Sequence, residues 1–229
     1  QGAIFFENIS NENSTSSRQL IIHEVMGRNC GWLTAATARE YRSRLERREF
    51  LPSILIEKER MDVDAVYIPE MVIDIENEAK RLKRRMDQKD SINIFLSEGA
   101  GIDSIVREME RDSKEVTKDA FGHVRLDEIN PGQWFAKQFA KKIDADKVLV
   151  QKSGYFARSA KPNEKDLNLI FQTADLAVEY ALKGISGVVG QDENHNNEMG
   201  CINFGRIKGG KPFNSNASWF QSILKEIGQ

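Results

Sequence analysis

The sequence predicts an α/β fold, a mostly parallel sheet flanked by helices. Four short runs rich in apolar and β-branched residues alternate with stretches whose apolar residues recur at helical spacing. The first of these runs is apolar without polar alternation, as a strand covered on both faces is. Glycine or proline follows each run closely, which ends a strand and opens a turn.

The first strand is Leu20-Ile21-Ile22-His23-Glu24-Val25, and small residues and helix formers begin near Gly31. Between them, Met26-Gly27-Arg28-Asn29-Cys30-Gly31 places an arginine where a strand ends and a helix begins. In open α/β sheets ligands bind there, because strand carboxyl ends and helix N-termini converge on one crevice. A guanidinium beside helix amides favours an anion, most often a phosphate. On these residues alone, a tight turn with a surface arginine stands equally beside that reading. Cys30 would need a base to act as a nucleophile; no histidine adjoins it, and a packed thiol is the preferred reading.

Upstream, residues 1–18 read as a short apolar piece (Ile4, Phe5, Phe6) followed by a polar connection. Downstream, the arginines of residues 38–48 are mixed with Glu40 and Glu46 and read as a solvated helix face. The second strand, residues 64–68, is stopped by Pro69, and Glu70 follows. A carboxylate there accepts hydrogen bonds from sugar hydroxyls or balances a helix N-terminus. Ile75, Ala79, Leu82 and Met86 predict an amphipathic helix over 72–88, with Arg81, Lys83, Arg84 and Arg85 mostly outward.

Residues 91–97 form the third strand, ending in Glu98-Gly99-Ala100-Gly101, a tight turn before a helix marked by Ile102, Ile105, Val106 and Met109. Residues 112–130 are a polar surface excursion in which His123 reads as a loop histidine. Asn130-Pro131-Gly132 starts a helix whose Trp134, Phe135, Phe139 and Ile143 belong to the core. The fourth strand, residues 147–152, leads into Ser153-Gly154-Tyr155-Phe156-Ala157-Arg158. If that segment turns helically, Tyr155 and Arg158 project to one side and hold a phosphate together. Strand alternation sets Lys152 opposite Gln151, and either faces the ligand.

Leu167, Ile170, Phe171, Ala174, Val178 and Ala181 predict a long helix with a glycine stop at Gly184. Two short strands, at 187–190 and 201–204, flank a polar loop holding His195, and residues 208–212 make a basic turn. The last helix, 216–227, buries Trp219, Phe220, Ile223, Leu224 and Ile227.

With 229 residues, 40% of them hydrophobic, the chain can bury one sizeable core, or one domain and part of another. A formal charge of -2 gives no general argument for nucleic acid or a membrane surface. Two cysteines suit a reducing cytosol, and no apolar run reaches transmembrane length. The opening Gln1-Gly2-Ala3 lacks an initiator methionine and leads into a Ser/Asn-rich stretch, so a fragment of a longer protein is expected.

The segment from Glu24 through Met26-Gly27-Arg28-Asn29-Cys30-Gly31-Trp32 to Ala35 resembles the Met-Gly-Arg segment of the phosphofructokinases, most closely their pyrophosphate-dependent branch. Pro69-Glu70 and Lys152-Ser153-Gly154-Tyr155-Phe156-Ala157-Arg158-Ser159 follow in the family's order. The resemblance implies a phosphofructokinase-like fold lacking its N-terminal half. Residues 1–158 would be a sugar-phosphate-binding α/β domain, and 159–229 a segment returning towards the missing half. It implies phosphoryl transfer from pyrophosphate to the 1-hydroxyl of fructose 6-phosphate. The substrate contacts would be Met26, Gly27, Arg28, Glu70, Tyr155, Phe156, Ala157 and Arg158. Arg28 and Arg158 would gather around one phosphate while Glu70 holds the sugar hydroxyls. The family's donor loop, catalytic aspartate and Mg²⁺ ligands have no counterpart here. They are expected before Gln1, with no metal site in this chain and little turnover by the chain alone. A homo-oligomer in the cytoplasm, binding neither nucleic acid nor membrane, is expected of the complete protein. The alternatives are an ATP-dependent relative and a sugar-phosphate-binding module without chemistry.

Overall fold

The computed structural model describes every residue except 55, 114, 121, 123 and 208, and not the side chains of 126 and 127. The readings of His123 and of the basic turn at Lys208 therefore lie outside the described residues. Two compact units form, one of residues 1–158 with 211–229, the other of residues 159–210.

In the first unit the elements run α1 (Gly2–Ser10), β1 (Gln19–Val25), α2 (Trp32–Leu45), α3 (Lys58–Met61), β2 (Ala65–Tyr67), α4 (Ile75–Lys89) and β3 (Ser91–Ser97). They continue as α5 (Ile102–Arg111), α6 (Leu126–Ile129), α7 (Pro131–Ala140), β4 (Lys147–Lys152) and α8 (Gly154–Arg158). The four strands make a parallel sheet in the order β2-β3-β1-β4. β1 is paired on both edges and buried throughout, so both its faces are covered.

Alternation sorts β1 between two cores. Ile21 packs with Phe6 of α1 and Ala35, Ala38 and Tyr41 of α2. Leu20 and Ile22 face the opposite way, towards Leu82 of α4 and Phe135 and Phe139 of α7. The chain thus leaves β1 over one face, through α2, and returns over the other, through α4 and then α7. A single handedness of crossover requires this. Adjacent strands β1 and β3 send their chains to opposite faces, and in open α/β sheets ligands bind outside the strand ends at such a point.

Residues 1–18 depart from the sequence reading. The apolar piece is a full helix, α1, because Ala3 and Phe6 recur at helical spacing and bury on one side. α4 starts later than expected, at Ile75, because Asp74 caps it by accepting from the amides of Glu76 and Asn77 at 3.1 Å. The sequence grouped residues 211–229 with 159–210. They belong to the first unit, because Phe220, Ile223 and Leu224 of the last helix bury in the core around Tyr41 and Leu45. Trp219 is only partly buried, with the Arg39 guanidinium 4.2 Å from its ring centre. Edge strand β2 is blunted by the Gln229 side chain. Its Oε1 accepts from the Val66 amide at 2.7 Å, and its Nε2 donates to the Val66 carbonyl at 3.1 Å.

The second unit holds α9 (Glu164–Leu182) and an antiparallel hairpin of β5 (Val188–Asp192) and β6 (Glu198–Ile202). Asn163 and Asp166 form a capping box at the start of α9. Asp192 fixes the hairpin end, accepting from both terminal nitrogens of Arg206 and facing His195 Nδ1 at 2.9 Å. These partners, Arg206 foremost, hold its carboxyl well below the usual carboxylate range. No residue of α9 is buried. The helix that closes the chain, α10 (Ser218–Glu226), lies in the first unit.

Candidate functional site

Two turns meet at the carboxyl ends of β1 and β3, and backbone contact fixes them. Gly27 has φ +149°, a conformation that side-chain-bearing residues rarely adopt. Its amide donates to Glu98 Oε1 at 3.1 Å, and its carbonyl accepts from Ser97 Oγ at 2.5 Å. On the other turn, Gly99 lies so close to the Arg28 backbone that a Cβ would fall 1.7 Å from its carbonyl oxygen. Gly31 is also tight, since a Cβ there would lie 2.3 Å from Ile68 Cβ.

A cleft of about 500 Å³ opens on one side of this junction, lined by Arg28, Asn29, Pro69, Glu70, Gly99 and the first turn of α5 among others. Arg28 Nη1 donates to Asp119 Oδ2 at 3.2 Å, with both side chains about one-third exposed. Glu70 is the most heavily engaged. Both its oxygens accept from the Gly31 amide at 3.1 Å, and Oε1 also accepts from the Phe213 amide at 2.7 Å. It therefore stabilises the N-terminus of α2, whose N-cap glycine has no side chain for the purpose. Oε2 keeps acceptor capacity, and Glu70 lines the cleft. The two readings of Glu70, helix acid and hydroxyl acceptor, are thus compatible.

A second cleft of about 300 Å³ lies on the other side of the junction, lined by Glu24, Met26, Glu98, Lys152, Tyr155 and Arg158 among others. Parallel register pairs Glu24 with Lys152, which puts both on one sheet face. Lys152 Nζ sits 2.9 Å from Glu24 Oε1, and Glu24 Oε2 accepts from the Gly132 amide at 2.9 Å. Lys152 rather than Gln151 therefore faces the cleft. α8 turns helically, bringing Tyr155 and Arg158 to the same side. Tyr155 is 84% exposed, and Arg158 Nη2 donates to the Met26 sulfur at 3.3 Å.

The residues singled out in the sequence are thus divided. Arg28 and Glu70 line the first cleft, and Met26, Tyr155 and Arg158 the second. Arg28 and Arg158, expected on one phosphate, line different clefts, with the Met26-Gly27-Arg28 turn between them. Asp119 draws Arg28 to one side, while the Met26 sulfur holds Arg158 on the other. Gly27, Phe156 and Ala157 line neither cleft. Gly27 is spent on the turn, and Phe156 packs on Phe5 of α1 with ring centres 5.3 Å apart. The Ala157 amide donates to the Ser153 carbonyl at 2.8 Å.

Sequence reasoning passed over Glu24, Glu98, Asp119 and Arg107, which also line the clefts or pair with their residues. Glu24 carried a signal: a carboxylate inside an otherwise apolar strand needs a buried partner. Asp119 lay in a polar stretch with no periodic pattern to mark it.

The phosphofructokinase family model matches residues 5–181. The chain belongs to the phosphofructokinase family. It is 57% identical, over its whole length, to the pyrophosphate–fructose 6-phosphate 1-phosphotransferase of Methylomonas methanica, and 55% to that of Methylotuvimicrobium alcaliphilum. In each case it spans only 56% of the relative's length. A solved structure of a pyrophosphate-dependent phosphofructokinase from Nitrosospira multiformis shares the fold, with a TM-score of 0.61 at 15% identity, covering 99% of this chain and 52% of that one. Within this phosphofructokinase chain, all three sequence motifs open on the clefts at the β1–β3 junction.

Among the described residues no group of three or more His, Cys, Asp or Glu side chains is placed to hold a metal ion. No helix among them is long and apolar enough to cross a membrane. Cys30 and Cys201 are free thiols, each partly buried.

Proposed function

We propose that this chain is the sugar-phosphate-binding part of a pyrophosphate-dependent 6-phosphofructokinase, acting on fructose 6-phosphate. One observation carries the reading: a cleft lined by Lys152, Tyr155 and Arg158 with Glu24 and Glu98, and a cleft lined by Arg28, Arg107 and Glu70, share a single backbone turn at the sheet's switch point. A molecule with a phosphate at one end and a reacting hydroxyl at the other suits that arrangement. Lys152, Arg158 and the Tyr155 hydroxyl bind the 6-phosphate through charge-assisted hydrogen bonds. Glu70 Oε2 accepts from sugar hydroxyls, and the Met26 side chain covers the ring.

In the transfer, the 1-hydroxyl oxygen attacks a phosphorus of pyrophosphate, the bridging P–O bond breaks, and phosphate leaves. The hydroxyl proton passes to a base outside these residues. Arg28, on the reacting side of the turn, offsets negative charge on the phosphoryl group in flight. Mg²⁺, which the family resemblance implies, neutralises donor phosphates when bound. Among the described residues no group of three or more His, Cys, Asp or Glu side chains is placed to hold it.

The exposed apolar side chains of α9, among them Ile170, Phe171 and Leu182, support the reading that residues 159–210 pack on a part of the enzyme outside this chain. The complete enzyme is proposed to be a cytoplasmic homo-oligomer. A coupled assay with fructose 6-phosphate, pyrophosphate and Mg²⁺ tests the proposal. Turnover is expected from the complete polypeptide and little from the 229-residue chain. A complete polypeptide that ignores fructose 6-phosphate would refute it.

A further inference from the structure

α8 carries Tyr155 and Arg158 into the second cleft, yet it has only five residues and none is buried. So short a helix is not self-supporting, and its position must be set from outside. Besides the contact of Arg158 with the Met26 sulfur, two contacts do this, and both lead to one aromatic cluster. Ser153, buried just before the helix, is hydrogen-bonded through Oγ to His23 Nε2 at 2.8 Å. Phe156, on the side of α8 turned from the cleft, packs on Phe5. Phe5 and His23 themselves lie with ring centres 5.4 Å apart.

His23 is fully buried in the central strand, stacked on Phe6 at 5.3 Å and edge-on to Phe95 at 5.1 Å. An apolar side chain would fill that space without desolvating an imidazole, and His23 Nδ1 is left without a partner. The hydrogen bond to Ser153 is what the ring adds over an apolar residue. Parallel register explains why the two meet: His23 pairs with Gln151, so Ser153, two residues on, lies on the same face.

We infer that His23 and Ser153 are positioning residues that set sugar-phosphate affinity by fixing where α8 presents Tyr155 and Arg158. Neither touches the substrate. The inference rests on the proposed assignment of the second cleft to the 6-phosphate. Burial also keeps the His23 imidazole neutral at physiological pH, with its pKa pushed down to about 3. The anchor is therefore constant across that range and is not a switch.

The test uses the complete enzyme with fructose 6-phosphate, comparing Ser153→Ala, Ser153→Thr, Phe156→Ala and Arg158→Ala. Loss of one neutral hydrogen bond corresponds to about a fivefold change in affinity. Ser153→Ala is expected to raise KM for the sugar phosphate about fivefold with kcat within about twofold. Ser153→Thr, which keeps the hydroxyl, restores KM, and Phe156→Ala reproduces the Ser153→Ala pattern through the second contact. Thermal melting of each variant separates this from general destabilisation, which lowers Tm without a selective change in KM. If Arg158→Ala raises KM and both Ser153→Ala and Phe156→Ala leave it unchanged, the positioning role is wrong and the cleft assignment stands. If Arg158→Ala also leaves KM unchanged, the cleft assignment itself fails and the inference with it.

Discussion

Gly99 and Arg28 touch through their backbones: a Cβ on Gly99 would lie 1.7 Å from the Arg28 carbonyl oxygen. Backbone cannot swing aside as a flexible side chain does, so Gly99→Ala forces the two turns apart. The expected cost is about 3 kcal/mol, the upper part of the usual overpacking range. The first cleft should be distorted with it. Urea denaturation measures the stability loss, and a variant as stable as the parent would show that the turns are not so tightly joined.

Glu70 ties the N-terminus of α2 to the 211–229 segment through the amides of Gly31 and Phe213. Glu70→Ala leaves both donors without this acceptor, at a cost of about 1–3 kcal/mol. Glu70→Gln keeps one acceptor oxygen and should cost less. Denaturant midpoints of the two variants give the comparison, and equal losses would mean that the carboxylate's hydrogen bonds contribute little.

Much of the fold was legible because burial on both faces leaves its mark on a strand. Residues 20–25 and 91–97 are mostly apolar runs, and the structure buries every residue of each. α1 was missed since Ile4, Phe5 and Phe6 are consecutive, and the run hides the spacing of Ala3 and Phe6 that marks the buried side. At the site, the motifs lie on turns that border the two clefts. Which way each side chain leaves its turn depends on partners distant in sequence. Arg28 turns to Asp119, Phe156 turns to Phe5, and neither pairing is written in local spacing. The Lys152–Gln151 ambiguity had the same origin and was resolved by the β1–β4 register.

His23 makes the fold acid-sensitive in a definite window. Its imidazole has an ordinary value of 6.5 and is pushed down to about 3 by burial in the folded chain. Between those values the unfolded chain binds the extra proton. The stability contributed by the neutral ring is therefore full above about pH 6.5 and declines as pH falls towards 3. The slope approaches about 1.4 kcal/mol per pH unit. His23→Gln, which has no group titrating there, should flatten the unfolding free energy against pH by about that amount. Chemical denaturation at pH 7, 6 and 5 would show it, and parallel curves for parent and variant would contradict the burial argument.

The two arginines should fail differently, because they lie on opposite sides of the Met26-Gly27-Arg28 turn. Arg158 lines the cleft assigned to the 6-phosphate, which is present equally in ground state and transition state, so Arg158→Ala removes uniform binding. KM for fructose 6-phosphate in the complete enzyme should rise by about 10- to 100-fold, as expected for a charge-assisted hydrogen bond, with kcat little changed. In the proposed transfer Arg28 offsets charge that develops only as the phosphoryl group moves, so Arg28→Ala should lower kcat by about 100-fold or more and alter KM much less. Arg28→Lys keeps the charge, lacks the planar guanidinium whose Nη1 donates to Asp119, and should recover only part of the loss. Steady-state kinetics of the three variants decides the matter. Identical KM effects at both positions would place the two guanidiniums on the same phosphate after all, against the separation of the two clefts.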